Sequence, residues 1–173
     1  MIEIEQVSFT YETAKSGATI RNINVRIPKG QIVLLCGESG SGKTTFSRLI
    51  NGLIPAYYDG DLNGRIMVSQ KDTSKVELHE LAPFVGSVFQ NPKSQFYTLL
   101  TDTEIVFACE NIGMEKTDIL CRFNSTVNSL HIEKLLGKSL FALSGGEKQK
   151  IACASVNALM PDVFVLDEPT SNL

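Results

Sequence analysis

The run Gly37-Glu38-Ser39-Gly40-Ser41-Gly42-Lys43-Thr44 matches G-x-x-x-x-G-K-[ST] at every fixed position. Each residue type meets a need of phosphate binding. Glycines let backbone N–H groups turn inward on phosphate oxygens, and a helix starting there adds partial positive charge. Lys43 is expected to reach the β- and γ-phosphates and the Thr44 hydroxyl to ligate Mg²⁺, with Thr45 beside them in the binding set. A strand must deliver such a loop and a helix must leave it. Ile32-Val33-Leu34-Leu35-Cys36 reads as a buried strand leading in. Thr45 to Asn51, with Phe46, Leu49 and Ile50 apolar, reads as the helix leading out.

Two more stretches carry chemistry. Val163-Phe164-Val165-Leu166 reads as a buried strand that ends in Asp167-Glu168. An acid at the carboxyl end of a strand beside a phosphate loop can hold Mg²⁺ through water, and a second can orient and deprotonate an attacking water. Asp167 is assigned to the metal and Glu168 to the base. Upstream, Ser144-Gly145-Gly146-Glu147 has the spacing of an S-x-x-E capping box. Ser144, the Gly145 and Gly146 amides and the helix N-terminus make a second anion cradle.

The remaining elements must position these groups. Ile2, Ile4, Val7, Phe9 and Tyr11 suggest a half-exposed strand, and Ile20, Ile23, Val25 and Ile27 a second, with a loop over 11–17 between them. Asn63-Gly64 signals a tight hairpin before a strand Arg65 to Val68. Val76 to Leu81 suggests a short helix and Val85 to Phe89 another strand. From Thr103 to Leu136 the period is helical, with Ile119, Leu120, Phe123, Val127 and Leu130 on one face. Ile151, Ser155, Ala158 and Leu159 line the helix that the capping box opens, and Pro161-Asp162 stops it.

Composition narrows the class. The length of 173 residues suits one domain or most of one. A net charge of −3 argues against a nucleic-acid partner held by phosphate contacts. No apolar run is long enough to span a bilayer, and the acidic N-terminus is unlike a signal peptide, so a cytoplasmic location is expected. Cys36, Cys109, Cys121 and Cys153 lack metal-site spacing and read as reduced, mostly buried thiols.

Leu143-Ser144-Gly145-Gly146-Glu147-Lys148-Gln149-Lys150 resembles the signature sequence of ATP-binding-cassette ATPases. It stands between the phosphate loop and the two acids, in that family's order. The resemblance implies an α/β P-loop nucleotide-binding domain with an antiparallel β subdomain and a helical subdomain. It implies ATP and Mg²⁺ as cofactors, and a second ATPase subunit, identical or different, whose phosphate loop faces this signature. It makes Tyr11 the aromatic that stacks on adenine, and Gln90 the glutamine that contacts Mg²⁺ or water and links the helical insertion to the nucleotide. Glu147 and Lys150 depart from the family's usual Gln and Arg. Glu147 brings negative charge near a phosphate site.

Within that family, Asn51-Gly52-Leu53-Ile54-Pro55, Val88-Phe89-Gln90-Asn91-Pro92-Lys93-Ser94-Gln95-Phe96 and Thr103-Glu104 look like the ATPase subunits of energy-coupling-factor importers of vitamins and transition-metal ions. That likeness implies an integral membrane partner, a place on the inner face of the membrane, and docking through Phe96, Tyr97 and Leu99. The expected parts are 1–90, β subdomain and phosphate-loop core; 91–160, helical subdomain with the signature; and 161–173, the strand with the acids. The chain stops at Ser171-Asn172-Leu173, where the family continues with a further strand and a histidine. The C-terminal part of the core is therefore expected to be missing, with weak turnover by this chain alone. A soluble, non-transport ATPase and a nucleotide-binding piece without turnover are the alternatives.

Overall fold

In the computed structural model, which describes residues 1–13 and 20–169, the first alternating run forms a strand of ten residues, β1 (Ile2–Tyr11). It pairs antiparallel with β2 (Ile20–Ile27) on one side and β3 (Gly60–Val68) on the other. The short β4 (Lys71–Asp72) completes a sheet of order β2-β1-β3-β4. Along β1 the buried residues are Ile2, Ile4, Val7 and Phe9, so the parity of the buried face changes from even to odd. A regular strand cannot do this. The register shifts between Ile4 and Val7, and Gln6 adopts φ 51. This bulge turns the second half of β1 back toward the core.

The bulge corrects one expectation. Asn63-Gly64 does not close a hairpin; both residues lie inside β3, opposite the irregular stretch between Glu5 and Ser8. Gly64 has φ 91, and a Cβ there would sit 2.6 Å from the carbonyl oxygens of Glu5 and Gln6. Glycine is needed because two backbones meet, a requirement set by β1 rather than by a turn.

After α1 (Lys43–Ile50) come two short helices, α2 (Leu53–Ala56) and α3 (Leu78–Leu81), the latter with a capping box between Glu77 and Glu80. The strand expected over Ile32–Cys36 does not form. Residues 31–38 carry no strand, and no described strand pairs with them. Ile32 is 101% and Leu34 84% exposed. An apolar run without ladder partners has no hydrogen-bonding reason to stay a strand and no face to bury.

The structure divides into two compact units, Met1–Val85 and Gly86–Leu173. The second contains the last three residues of β5 (Val85–Val88), then α4 (Thr101–Asn111), α5 (Lys116–Leu130), α6 (Gly145–Ala158) and β6 (Val163–Leu166). Its core gathers Ile105 and Cys109 of α4, Val127 of α5, Ile132 and Leu140 of the connections, and Ile151, Ala154 and Ala158 of α6. Burying each large aliphatic side chain stabilises by about 1.5–3 kcal/mol. Ile119, Phe123 and Leu130 pack against this cluster. Leu120, expected on the same face, is 52% exposed. It lies one residue, about 100° of turn, from Ile119 and falls off the stripe. Arg122 on α5 donates to the carbonyls of Ala158 and Leu159, adding positive charge where α6 ends.

Among the described strands β6 pairs with β5 alone, so Val165 is buried while Phe164 and Leu166 stay about half exposed. The strand is thus less buried than its apolar run suggests. Cys36 and Cys121 are exposed and Cys109 is buried, so the thiols are not mostly buried. Part of the loop expected over 11–17, and Ser171 to Leu173, lie outside the described residues.

Gly64→Ala is expected to lower stability by about 1–3 kcal/mol through backbone strain at the bulge. The denaturation midpoint reads this, and an unchanged midpoint would rule out the close approach of β1 and β3.

Candidate functional site

In the first unit, the phosphate loop leads straight into α1. Gly40 has φ 80 with open space where a Cβ would stand, and Gly42, the N-cap of α1, has φ 96. These left-handed residues curl the backbone ahead of the helix N-terminus. Lys43 folds back across the loop, its Nζ donating to the Gly37 carbonyl at 2.9 Å and the Glu38 carbonyl at 2.8 Å. Ser41 N–H bonds the Glu38 carbonyl at 3.2 Å. A cation held over a curled glycine loop at a helix start is the donor set a polyphosphate requires, and ATP fits these residues. Thr44 is exposed at that start.

Thr45 and Tyr11 are joined to one another. Thr45 is buried, with its Oγ1 3.2 Å from the Tyr11 hydroxyl. Arg48 Nη1 donates to the same hydroxyl at 2.9 Å. The Arg48 guanidinium also lies 4.0 Å over the ring of Tyr58, which meets Tyr11 edge-on at 6.1 Å. Tyr11 meets Phe9 edge-on at 4.8 Å. Tyr11 is therefore held by a small aromatic and guanidinium cluster. Arg48 and Tyr58 lie outside the site that the sequence motifs predict. Their only signal was an Arg one turn after Lys43-Thr44 and a Tyr pair soon after.

In the second unit, β5 and β6 place Gln90 and Glu168 together. Asp167 N–H donates to the Val88 carbonyl at 3.0 Å, which aligns the two strand ends. Just beyond, Gln90 Nε2 donates to Glu168 Oε2 at 2.9 Å. Glu168 has φ 46, a left-handed conformation that is strained for a residue with a Cβ. Asp167 is half-buried. Glu168 is the base candidate of the strand-end acids, and Gln90 the catalytic candidate that the family resemblance implies.

The capping box forms as spaced. Ser144 Oγ accepts from Glu147 N–H at 3.3 Å, and Glu147 Oε2 accepts from Ser144 N–H at 2.8 Å. Those bonds, the Ser144 backbone N–H first, hold the Glu147 carboxyl below the usual carboxylate range. A cavity of about 560 Å³ opens beside Ser144, Gly146, Glu147 and Lys150. Gln149 also lines it and is buried, with neither carboxamide atom hydrogen-bonded. The cradle of Ser144, Gly145 and Gly146 thus starts a helix whose first turn faces open space.

The three aromatic and aliphatic residues after Gln90 separate. Phe96 packs against the core, whereas Tyr97 is 77% and Leu99 66% exposed. Phe96 belongs to the core because it packs on the cluster of Val88, Ala152 and Val156 as well as on the helical core. The loop is shaped by Glu104, a buried carboxylate that accepts from Tyr97 N–H at 3.1 Å, Thr98 N–H at 2.8 Å and the Thr98 hydroxyl at 2.9 Å.

A family model described as ABC transporter matches residues 20–171. The chain belongs to that family. Its fold is the family's nucleotide-binding domain, an antiparallel sheet combined with helices. A protein of Treponema denticola that carries the name of an ABC transporter ATP-binding protein is 48% identical over the whole chain. A relative of the same description from Pyrococcus abyssi is 40% identical. The chain spans 35% of the first and 61% of the second. Among solved structures, cbiO1 of Clostridium perfringens, part of the ABC transporter complex cbiONQ, matches 99% of this chain and 66% of its own. The TM-score is 0.84 at 28% identity. The ATP-binding cassette MJ0796, in a dimeric post-hydrolysis state with ADP and Pi, matches with a TM-score of 0.79 at 26% identity, over 100% of this chain and 76% of its own.

In this cassette Ser144→Ala is expected to cost about 1 kcal/mol of stability by freeing the first turn of α6. The lowered Glu147 carboxyl adds stability that is present above the ordinary carboxylate range and is lost as pH falls through the folded value. Glu147→Gln should therefore flatten the acid limb of stability against pH. An equally steep acid limb in that variant would sink the capping role of the carboxylate.

Proposed function

We propose that this cassette binds and hydrolyses ATP to power a membrane importer of the energy-coupling-factor kind, for a vitamin or a transition-metal ion. The observation that carries the ATP part is the glycine loop with Lys43 folded over it at the start of α1. The importer part is supported by the likeness to cbiO1, itself part of a transporter complex, and by the exposed Tyr97 and Leu99. In this reading Gly37 to Thr45 surround the phosphates, and Thr44, Gln90 and Asp167 would hold Mg²⁺. Bound Mg²⁺-ATP supplies the phosphoryl group and the charge neutralisation. Lys43, now on the Gly37 and Glu38 carbonyls, would supply the cation for the phosphate oxygens. Glu168 accepts a proton from the attacking water. Ser144, Gly145, Gly146 and Glu147 serve a second cassette, identical or different, as its cap. Tyr11 stands at the adenine with Arg48 fixing its hydroxyl.

Tyr97 and Leu99 are proposed to meet an integral membrane subunit, which places the cassette on the inner face of the membrane. Among the described residues no helix is long and apolar enough to cross a bilayer. A binding-only reading has one observation in its favour, the unpaired run Ile32 to Leu35.

One pair of variants separates these readings. Lys43→Ala is expected to weaken ATP binding about 10-fold or more, by removing a charge-assisted contact. Glu168→Gln is expected to keep binding and slow turnover by about 10²–10⁴-fold. Binding measured by calorimetry and phosphate release read both. A wild-type protein that binds ATP but releases no phosphate, with or without Glu168, would leave only the binding module.

A further inference from the structure

We draw no further inference here: the strongest candidate, the cavity at the start of α6 lined by the buried Gln149 with its unpartnered carboxamide, belongs to the site already described, and nothing in the structure shows what covers it.

Discussion

A Cβ at position 86 would lie 2.3 Å from Val156 Cγ1 and 2.8 Å from Pro161 Cγ, closer than carbon atoms approach in proteins. Glycine at that point lets α6 lie directly under β5. Val88, Ala152 and Val156 then form one buried cluster, with Phe96 packed on it. Everything chemical in the second unit follows from that contact. It sets the height of β5 over α6, and β6 pairs with β5 at the same level. The ends of those strands carry Gln90 and Glu168, while the start of α6 carries Ser144 and the glycines. A larger residue at 86 would have to move the strand away from the helix. The loss would be felt at both groups of candidate residues, though none of them is among the atoms nearest the glycine.

Glu104 sets a second constraint, through polarity instead of size. A carboxylate buried to 3% exposure is tolerable only when its oxygens find donors. Here one oxygen gathers two backbone N–H groups and a hydroxyl from Tyr97 and Thr98. Those bonds tie the loop to α4. They hold Phe96 on the inner side and leave Leu99 on the outer. Tyr97 stacks on Phe107 at 5.1 Å, which keeps its ring flat against the surface. The exposed apolar pair therefore stands on a base fixed by the three bonds to Glu104.

What could be read from the residues was what depends on near neighbours. The capping box at Ser144 and Glu147 is satisfied within four residues, and it forms as its spacing predicts. The glycine loop before α1 and the acids after β6 are equally local. Burial was legible only where the partner was certain. Ile32 to Leu35 and Phe164 have the composition of buried strand, yet composition does not supply the neighbouring strand that would cover them. Asn63-Gly64 has the chemistry of a hairpin turn, but its φ is demanded by Gln6 on the facing strand. Leu120 fits an apolar list and misses the face by one residue. Tyr11 was legible as an aromatic near the phosphate loop. Its tie to Arg48 and Tyr58 depends on contacts made across 37 residues and more, for which no local pattern exists.

Glu147 shows how a departure from a family pattern can be absorbed. A carboxylate beside an anion cradle opposes the potential the cradle needs. The geometry reduces that opposition in three ways. The carboxylate is turned to the Ser144 N–H at 2.8 Å, so one oxygen is occupied by the helix's own backbone. It sits at the positive end of α6, where the helix dipole already favours a negative group. Lys138 Nζ lies 3.9 Å from its other oxygen, and the charge of Lys150 also acts on it. Exposed ion pairs of this kind contribute little to stability. Their larger effect is on the local field: Lys138 and Lys150 offset the negative charge that Glu147 brings to the helix start.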